Sequence, residues 1–324
     1  MFSRDVLRID ASAVAGRIQR AVAQQVQETL RRRGAVLGLS GGVDSSVVAA
    51  LCTRALGPNR VVGLLMPERD SSPDALRLGH RVADSLGIKT IVEDVGPTLE
   101  AAGCYSRQAE AIRTVFPDYG DGWKCKITLP SILDSERLNI FQLTVEDPAG
   151  QRQSSRMPPA AYLQLVAATN FKQRTRKLME YYHADRLLYA VAGTPNRLEY
   201  DQGFFVKQGD GAADIKPIAH LYKTQVYQLA AFLGIPEEVR SRPPSTDTYS
   251  LPQTQQEFFF ALPYDQMDVC LWGVDHQVPA ADVAADLGLD QSQVERVYHD
   301  IQAKRRNATY LHAPPLRVEE PPEV

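Results

Sequence analysis

A glycine-rich turn between two apolar segments constrains the fold of this chain more than any other feature. Residues 38–46 follow the apolar run 35–37 and precede the apolar run 47–56. This order is typical of a strand, a tight turn and the first turn of a helix. Gly41 and Gly42 let the backbone approach a ligand closely, and the free N–H groups of a helix N-terminus bind anions. The segment therefore predicts a phosphate site.

The residue types in this turn distinguish it from other phosphate loops. The Walker A pattern requires a lysine before its last Ser or Thr, and none stands there. Asp44 lies in the turn instead, beside the hydroxyls of Ser40 and Ser45. A carboxylate inside a phosphate cradle has a use when a metal ion bridges it to the phosphates. A plain turn with Ser and Asp as N-caps would explain each residue singly, but the combination favours phosphate binding.

Strand-like and helix-like segments alternate over most of the chain. Strands are predicted at 35–39, 60–66, 88–93 and 186–192, and helices at 14–30, 44–56, 73–86, 158–183, 222–233, 279–287 and 292–305. This alternation predicts an α/β fold, a doubly wound parallel sheet with helices on both faces, whose ligands bind beyond the carboxyl ends of the strands. We expect one domain over residues 1–313, an inserted β hairpin or small lobe within about 101–160, and a disordered Pro- and Glu-rich tail at 314–324.

Composition excludes several classes of protein. The formal charge of −3 on 324 residues carries no general nucleic-acid footprint. The four cysteines form no C-x-x-C pair, so we expect buried free thiols in a reducing compartment. The sequence shows neither a signal peptide nor an apolar run of membrane-spanning length. We therefore expect a cytoplasmic protein that contacts neither nucleic acid nor membrane.

The glycine-rich turn resembles the signature of the N-type ATP pyrophosphatases, the PP-loop superfamily, which cut ATP between the α- and β-phosphates. Further segments resemble one branch, the ammonia-dependent NAD synthetases. They are N-F-K-Q-R-T-R at 170–176, G-T-P-N-R-L-E at 193–199, G-F-F-V-K-Q-G-D-G-A-A-D at 203–214, P-I-A-H-L-Y-K-T at 217–224, P-P-S-T-D at 243–247 and A-K-R at 303–305. The family pattern has Gln-Ala at 172–173, Lys-Ser at 197–198 and often His at 303, so the chain departs from it there.

The resemblance implies an adenine nucleotide α-hydrolase-like fold and a set of site residues. ATP is expected to bind Gly38, Leu39, Ser40, Gly41, Gly42, Val43, Asp44, Ser45, Thr194, Lys223 and Ser245. The dinucleotide substrate is expected to contact Arg174, Lys207, Asp214 and Lys304, and Mg²⁺ is expected on Asp44 and Glu199. Asp44, Ser45 and Lys223 are the expected catalytic residues. Each of two residues also has an interpretation without a ligand. Glu199 could complement a helix dipole, and Arg174 could lie on a solvated basic face.

The same resemblance implies the reaction. The nicotinate carboxylate of deamido-NAD attacks the α-phosphorus of ATP, and ammonia then converts the acyl adenylate to NAD and AMP. The chain has no room for an attached glutaminase domain, so ammonia is expected from solution or from a separate glutaminase or amidotransferase subunit. Relatives are dimers whose interface helps to build the dinucleotide site, and we expect a homodimer. Its candidate interface is an apolar stripe at four-residue intervals, Val14, Ile18, Val22, Val26 and Leu30, which could equally pack within the chain.

Two segments are expected to border the site. The loop 241–256, rich in Pro, Ser, Thr and Gln, is a candidate lid that excludes water. The insert at 101–160 is expected to cap the site or to dock the ammonia-supplying partner, and not to join the sheet core.

Two other functions are compatible with the sequence. One is an amidating ligase of the same scaffold that acts on another carboxylate in a biosynthetic pathway, for which the insert and the changes at 197, 198 and 303 argue. The other is a catalytically silent nucleotide-binding paralogue, against which the presence of Asp44, Glu199 and Lys223 argues.

Overall fold

Two separate sheets lie in the part of the chain that the computed structural model describes, residues 2–129, 141–246, 248–260 and 262–319. The strands are β1 (Ala35–Gly38), β2 (Val61–Leu65), β3 (Lys89–Val92), β4 (Lys124–Thr128), β5 (Gln142–Glu146), β6 (Arg152–Arg156) and β7 (Ala190–Val191). The first sheet is parallel with the order β3-β2-β1-β7, and the second is antiparallel with the order β4-β5-β6. The second sheet is the small inserted lobe that the sequence predicts, and it is separate from the parallel sheet.

The helices follow the predicted alternation with several additions. They are α1 (Ala11–Gln24), α2 (Val43–Leu56), α3 (Pro73–Leu86), α4 (Gly96–Ala101), α5 (Cys104–Arg113), α6 (Pro159–Leu187), α7 (Arg197–Gln202), α8 (Lys223–Leu233), α9 (Glu237–Arg240), α10 (Tyr264–Asp275), α11 (Ala280–Leu287) and α12 (Gln291–His312). Within the described residues, no helix has the apolar length that a membrane span requires.

The parallel sheet is covered by helices on both faces. Leu37 of β1 belongs to the core that α1, α2 and α8 close, whereas Val36 packs with Ala184 of α6 on the opposite face. Every residue of β2 is buried. A strand that is covered on both sides reads as a continuous apolar run and not as an alternating one, which explains the composition of both central strands. The predicted doubly wound α/β fold is confirmed.

The tight turn after β1 requires glycine at one position. Gly41 has φ +74°, and a Cβ atom there would lie 2.8 Å from the Cβ atom of Leu78 and from the carbonyl oxygen of Ala75 in α3. Any other residue would therefore clash with α3 as well as strain the backbone. This close contact lets α2 begin directly behind the turn, with Gly42 as its N-cap.

The predicted strand at 186–192 is mostly wrong. Helix α6 continues through Leu187 and ends at Leu188, which has φ +56°, and only Ala190 and Val191 pair with β1 in the strand. The apolar residues before position 189 therefore serve the last turn of a long helix. A short apolar run is compatible with either structure.

The apolar stripe proposed for a dimer interface lies inside the chain. Val14, Ile18, Val22 and Val26 are at most 7% exposed and belong to the core formed with α2 and α8. Their regular spacing is thus explained by packing within one chain. The predicted tail is described only to residue 319, and residues 320–324 lie outside the described part.

Candidate active site

A cleft of about 830 Å³ opens at the carboxyl ends of β1 and β2. This is the edge at which an open α/β sheet binds its ligands. Most of the predicted site residues line it: Gly38, Leu39, Ser40, Gly42, Val43, Asp44, Ser45, Arg174, Thr194, Glu199, Lys207, Lys223 and Ser245. Segments that are distant in the sequence therefore meet in one cavity. Gly41 is absent from the lining because it packs against α3.

The hydroxyl groups of the glycine-rich turn bond to one another and to the turn. The Ser40 and Ser45 hydroxyl oxygens lie 3.1 Å apart, and the Gly42 amide donates to Ser40 Oγ over 3.3 Å. Ser45 and Ser46 both donate to the Gly42 carbonyl, over 3.0 and 2.8 Å. Because Gly42 is the N-cap, the first amides of α2 have no partner inside the helix. The turn is held rigid while these amides stay available for an anion.

Asp44 is the centre of the polar network in the cleft. Its Oδ1 atom accepts from Asn196 Nδ2 over 3.0 Å, and its Oδ2 atom forms a short ion pair with Lys223 Nζ. Lys223 is fully buried. Burial alone would lower the pKa of Lys223, but the carboxylates of Asp44 and Glu199 outweigh it and raise that pKa. Lys223 is therefore a fixed positive charge.

Glu199 lies in the same network through Asn196. The Asn196 side chain accepts from the Glu199 amide, and Glu199 Oε2 accepts from the Asn196 amide, each over 3.1 Å, which forms a capping box at the start of α7. Burial and then the negative charge of Asp44 raise the pKa of Glu199 above its ordinary value. Glu199 therefore does act at the start of α7, as the less specific interpretation expected. Its proximity to Asp44 is compatible with the metal role, which stays a prediction.

These two carboxylates suit a hard divalent cation. Asp44 and Glu199 both face the cleft and repel each other, and Lys223 neutralises only one of the two charges. No cluster of three or more His, Cys, Asp or Glu side chains arranged for a metal lies within the described residues. Mg²⁺ commonly takes only one or two carboxylates and completes its shell with substrate phosphates and water. The donor set therefore fits Mg²⁺ brought in with a nucleotide.

Two polar residues of the site could not be assigned from the sequence. Asn196 is fully buried and contacts both carboxylates. Asp268 of α10 is also fully buried, and its Oδ2 atom accepts from the Thr224 amide over 2.7 Å, directly after Lys223. Asn196 lies inside the G-T-P-N-R-L-E segment, which offered a signal. Asp268 lies in α10, a helix that was not predicted from the sequence, so no sequence pattern indicated a role for it.

Two of the expected substrate residues lie at one end of the cleft. Arg174 is exposed on α6, and its Nε atom donates to the Lys207 carbonyl over 3.2 Å. Lys207 Nζ donates to the carbonyls of Tyr310 and Ala313 at the end of α12, over 2.8 and 3.1 Å. Both cations line the cleft, so their predicted contact with a substrate remains a prediction that the geometry allows.

The other two expected substrate residues lie outside the lining of the cleft. Asp214 is exposed, and its Oδ2 atom accepts from the Val191 amide over 2.7 Å, so it secures the end of β7. Lys304 is mostly buried, pairs with Asp300 over 2.7 Å and donates to the Phe259 carbonyl over 2.8 Å. Burial lowers the pKa of Lys304. In this structure Lys304 supports the cleft wall from behind through Phe259.

Aromatic side chains form much of the remaining wall. Phe141 of the insert stacks on Tyr162 of α6 with ring centroids 4.9 Å apart, and both line the cleft. Phe204, Phe258 and Phe259 lie close together nearby. A cavity that combines a phosphate loop with aromatic walls suits a nucleotide with flat rings. The insert borders this cavity, whereas Asp247 of the P-P-S-T-D segment lies outside the described residues.

Comparison with known proteins agrees with this geometry. The sequence model of the NAD synthase family matches residues 14–115 and 135–308. The NH(3)-dependent NAD(+) synthetase of Mesorhizobium japonicum is 65% identical over 311 residues, which cover 96% of this chain and 98% of that protein.

Solved structures show the same fold at lower identity. An NMN synthetase from Francisella tularensis superposes with a TM-score of 0.64 at 19% identity, and the match covers 96% of this chain and 99% of the synthetase chain. An NH3-dependent NAD synthetase from Campylobacter jejuni superposes with a TM-score of 0.63 at 21% identity, and the match covers 96% of this chain and 100% of that synthetase chain. The fold, the cleft and the sequence match lead to one conclusion: this chain belongs to the NAD synthase family.

Proposed function

We propose that this protein is a carbon–nitrogen ligase that amidates deamido-NAD to NAD with ammonia and ATP. The observation that carries the proposal is the meeting, in one cleft, of the glycine-rich turn, the Asp44–Lys223 pair and an aromatic wall. The name of the relative at 65% identity supports the same reaction and the use of ammonia.

The chemistry requires two displacements. A carboxylate is unreactive toward an amine at neutral pH, so an oxygen of the nicotinate carboxylate first attacks the α-phosphorus of ATP and expels pyrophosphate. Ammonia then attacks the carbonyl carbon of the acyl adenylate, AMP departs with the bonding electrons, and a proton is released. The products are NAD, AMP and pyrophosphate.

Residues of this chain can stabilise the negative charge that develops on the leaving group. The free amides at the start of α2 and the buried ammonium of Lys223 are fixed donors, and such preorganised donors lose no energy to reorientation during reaction. Asp44 and Glu199 would hold Mg²⁺, which supplies charge neutralisation at the phosphates. Asn196 keeps both carboxylates in place. We assign Asp44, Ser45 and Lys223 as the reaction centre.

A second copy of the chain is proposed to complete the substrate site. Arg174, Leu178 and Tyr182 follow one another at four-residue intervals on α6, so they share one face. Leu178 and Tyr182 are 60% and 58% exposed, and Arg174 lines the cleft. Asp214, which accepts from the Tyr181 hydroxyl over 3.3 Å, lies beside this face. A partner covering this face would lie next to Arg174 and Asp214, so we propose a homodimer through α6 and not through α1.

The nitrogen donor is proposed to be free ammonia or ammonia from a separate glutaminase subunit. We place the reaction in the cytoplasm, because all four cysteines are buried and unpaired, as in proteins of reducing compartments.

The deciding experiment is incubation of the purified protein with ATP, Mg²⁺, ammonium and deamido-NAD. We expect NAD and AMP in equal amounts. AMP formation with another carboxylic acid but not with deamido-NAD would identify an amidating ligase of different specificity. ATP binding without AMP release from any acid would identify a silent nucleotide-binding paralogue.

A further inference from the structure

Helix α6 carries a lysine that the proposed reaction does not use and that is almost completely buried. Lys172 is 1% exposed, and its Nζ atom lies 3.1 Å from Glu68 Oε1 and 2.6 Å from Asp70 Oδ2. The third neighbour of this ammonium is the carbonyl of Thr248, at 2.9 Å. The ammonium therefore donates hydrogen bonds to Asp70 and to the Thr248 carbonyl, and it faces Glu68 Oε1 as an ion-pair partner without a hydrogen bond.

The burial of the Lys172 ammonium and its carboxylate neighbours depends on their mutual pairing. A buried charge is tolerated only when it is paired and hydrogen-bonded. The side chains of Glu68 and Asp70 are 0% and 6% exposed, and Lys172 is the buried counter-charge that both of them face. Asp70 also pairs with the exposed Arg69, over 3.6 Å. Tyr105 also donates to Glu68 Oε2, over 2.8 Å.

The three oxygen neighbours of Lys172 belong to two walls of the cleft. Glu68 and Asp70 lie in the segment that follows β2, whose Ser71 and Ser72 line the cavity. Thr248 begins the segment 248–260, which is called here the 248–260 wall. Lys172 itself lies two residues before Arg174 on α6. One ammonium group therefore ties two separate walls of the cleft to the helix that carries a predicted substrate contact.

The small antiparallel sheet holds the 248–260 wall from its other side. The Cys125 amide of β4 donates to Ser250 Oγ over 2.9 Å, and the Leu251 amide donates to the Cys125 carbonyl over 3.0 Å. Farther along, Gln253 donates to the Ile127 carbonyl, and the Leu129 amide donates to the Glu257 carbonyl over 2.8 Å. The free edge of β4 is thus used to hold this wall.

We propose that Lys172 is a positioning residue for nucleotide binding, which acts by fixing the 248–260 wall between α6 and the small sheet. Thr248, Tyr249 and Phe258 of this wall line the same cavity as the glycine-rich turn. Loss of either attachment lets the wall move away from the nucleotide. The inference rests on the proposed function for the identity of the nucleotide, ATP, but not for the identity of the carboxylate substrate.

Three variants separate positioning from a general structural role. The first replaces the buried charges together, Lys172→Met with Glu68→Gln and Asp70→Asn, so that no carboxylate is left without a counter-charge. The second, Ser250→Ala, removes one bond between β4 and the wall and touches no buried charge. The control, Arg152→Gln, removes the exposed ion pair of 2.7 Å with Glu146 on the far edge of the same sheet.

The measurements are the dissociation constant of α,β-methylene-ATP by calorimetry and amide hydrogen exchange of the whole chain. For the triple variant we expect a dissociation constant raised about tenfold or more, the size of one lost charge-assisted hydrogen bond. We expect a smaller rise for Ser250→Ala and none for the control. Faster exchange should be confined to residues 248–258 and the segment after β2.

Unchanged nucleotide affinity in both test variants would overturn the inference. So would faster exchange spread over the parallel sheet, because that would mean that Lys172 supports the fold as a whole. Should the triple variant fail to yield folded protein, the nucleotide affinity of Ser250→Ala and the exchange of its residues 248–258 decide the question. Amidation of deamido-NAD by the unaltered protein tests the proposed function separately, since neither measurement here uses that substrate.

Discussion

The replacement Asp268→Asn should change how the stability of this protein depends on pH. Asp268 is fully buried in α10 and accepts from the Thr224 amide in the first turn of α8, next to Lys223. Burial raises the pKa of Asp268 to about 7. Asparagine has nearly the same shape and keeps an oxygen that can accept from Thr224, so the contact survives while the titration disappears.

The sign and size of the effect follow from the two pKa values of Asp268. Its pKa is about 3.9 in the unfolded chain and about 7 in the folded protein. Between these values the folded state holds a proton that the unfolded state has lost. The contribution of Asp268 to stability is therefore complete below pH 4 and is lost as the pH rises through 7. The slope is about 1.4 kcal/mol per pH unit, which amounts to roughly 2.5 kcal/mol between pH 5 and pH 8 after allowance for partial titration.

Urea unfolding of both proteins at pH 5 and pH 8 measures this effect. The difference in the free energy of unfolding between Asp268→Asn and the unaltered protein should shift in favour of the variant by about 2–3 kcal/mol from pH 5 to pH 8. Other titrating groups are common to both proteins and cancel. Asp265→Asn, an exposed position on the same helix, should show no such shift. An equal difference at both pH values would mean that Asp268 is ionised in the folded protein and would refute the reasoning.

Three further predictions concern the site and the assembly. ATP should be cleaved to AMP and pyrophosphate, because the turn lacks the Walker lysine; ADP and phosphate as main products, seen by chromatography, would exclude the pyrophosphatase chemistry. Asp44→Asn and Glu199→Gln should each lower turnover by about 10²–10³-fold, whereas Glu100→Gln, at an exposed position outside the lining of the cleft, should not. Near-full activity of either variant in initial-rate assays at low Mg²⁺ would exclude that carboxylate as a metal ligand. Leu178→Glu with Tyr182→Glu should turn a dimer into a monomer by light scattering, and an unchanged mass would place the interface elsewhere.

Sequence patterns predicted those turns and helices whose structure depends on residues close together in the chain. The turn at 38–46 has its shape because only glycine fits at position 41 against α3. The same residues predict a phosphate site. Helices α2, α3 and α8 begin and end within one residue of the predicted limits. Most of the residues predicted to bind ATP and metal line one cleft, because their motifs follow strands that end at one edge of the sheet.

Long-range pairing was beyond the reach of the same patterns. Asp268 lies 44 residues after its partner Thr224, and Lys172 lies about a hundred residues after Asp70. Nothing in the spacing of either residue marks it as buried, since charged residues are mostly exposed in proteins. Both are explained only when their acceptors and donors are seen on neighbouring elements. The roles expected for Asp214 and Lys304 have the same difficulty, because a motif does not show which way a side chain faces.

Two apolar patterns in the chain illustrate why spacing alone does not reveal an interface. The stripe on α1 has the clearer period, and it is buried against α2 and α8 because a helix on a sheet face needs such a stripe to cover the core. Helix α6 is so mixed in composition that its apolar residues suggest no stripe, yet Leu178 and Tyr182 are more than half exposed. An apolar side chain left in water beside a binding cleft carries more information about partners than a regular period does. The regular spacing on α1 results from packing within the chain. The exposed residues on α6 mark the face on which we expect a second copy to bind.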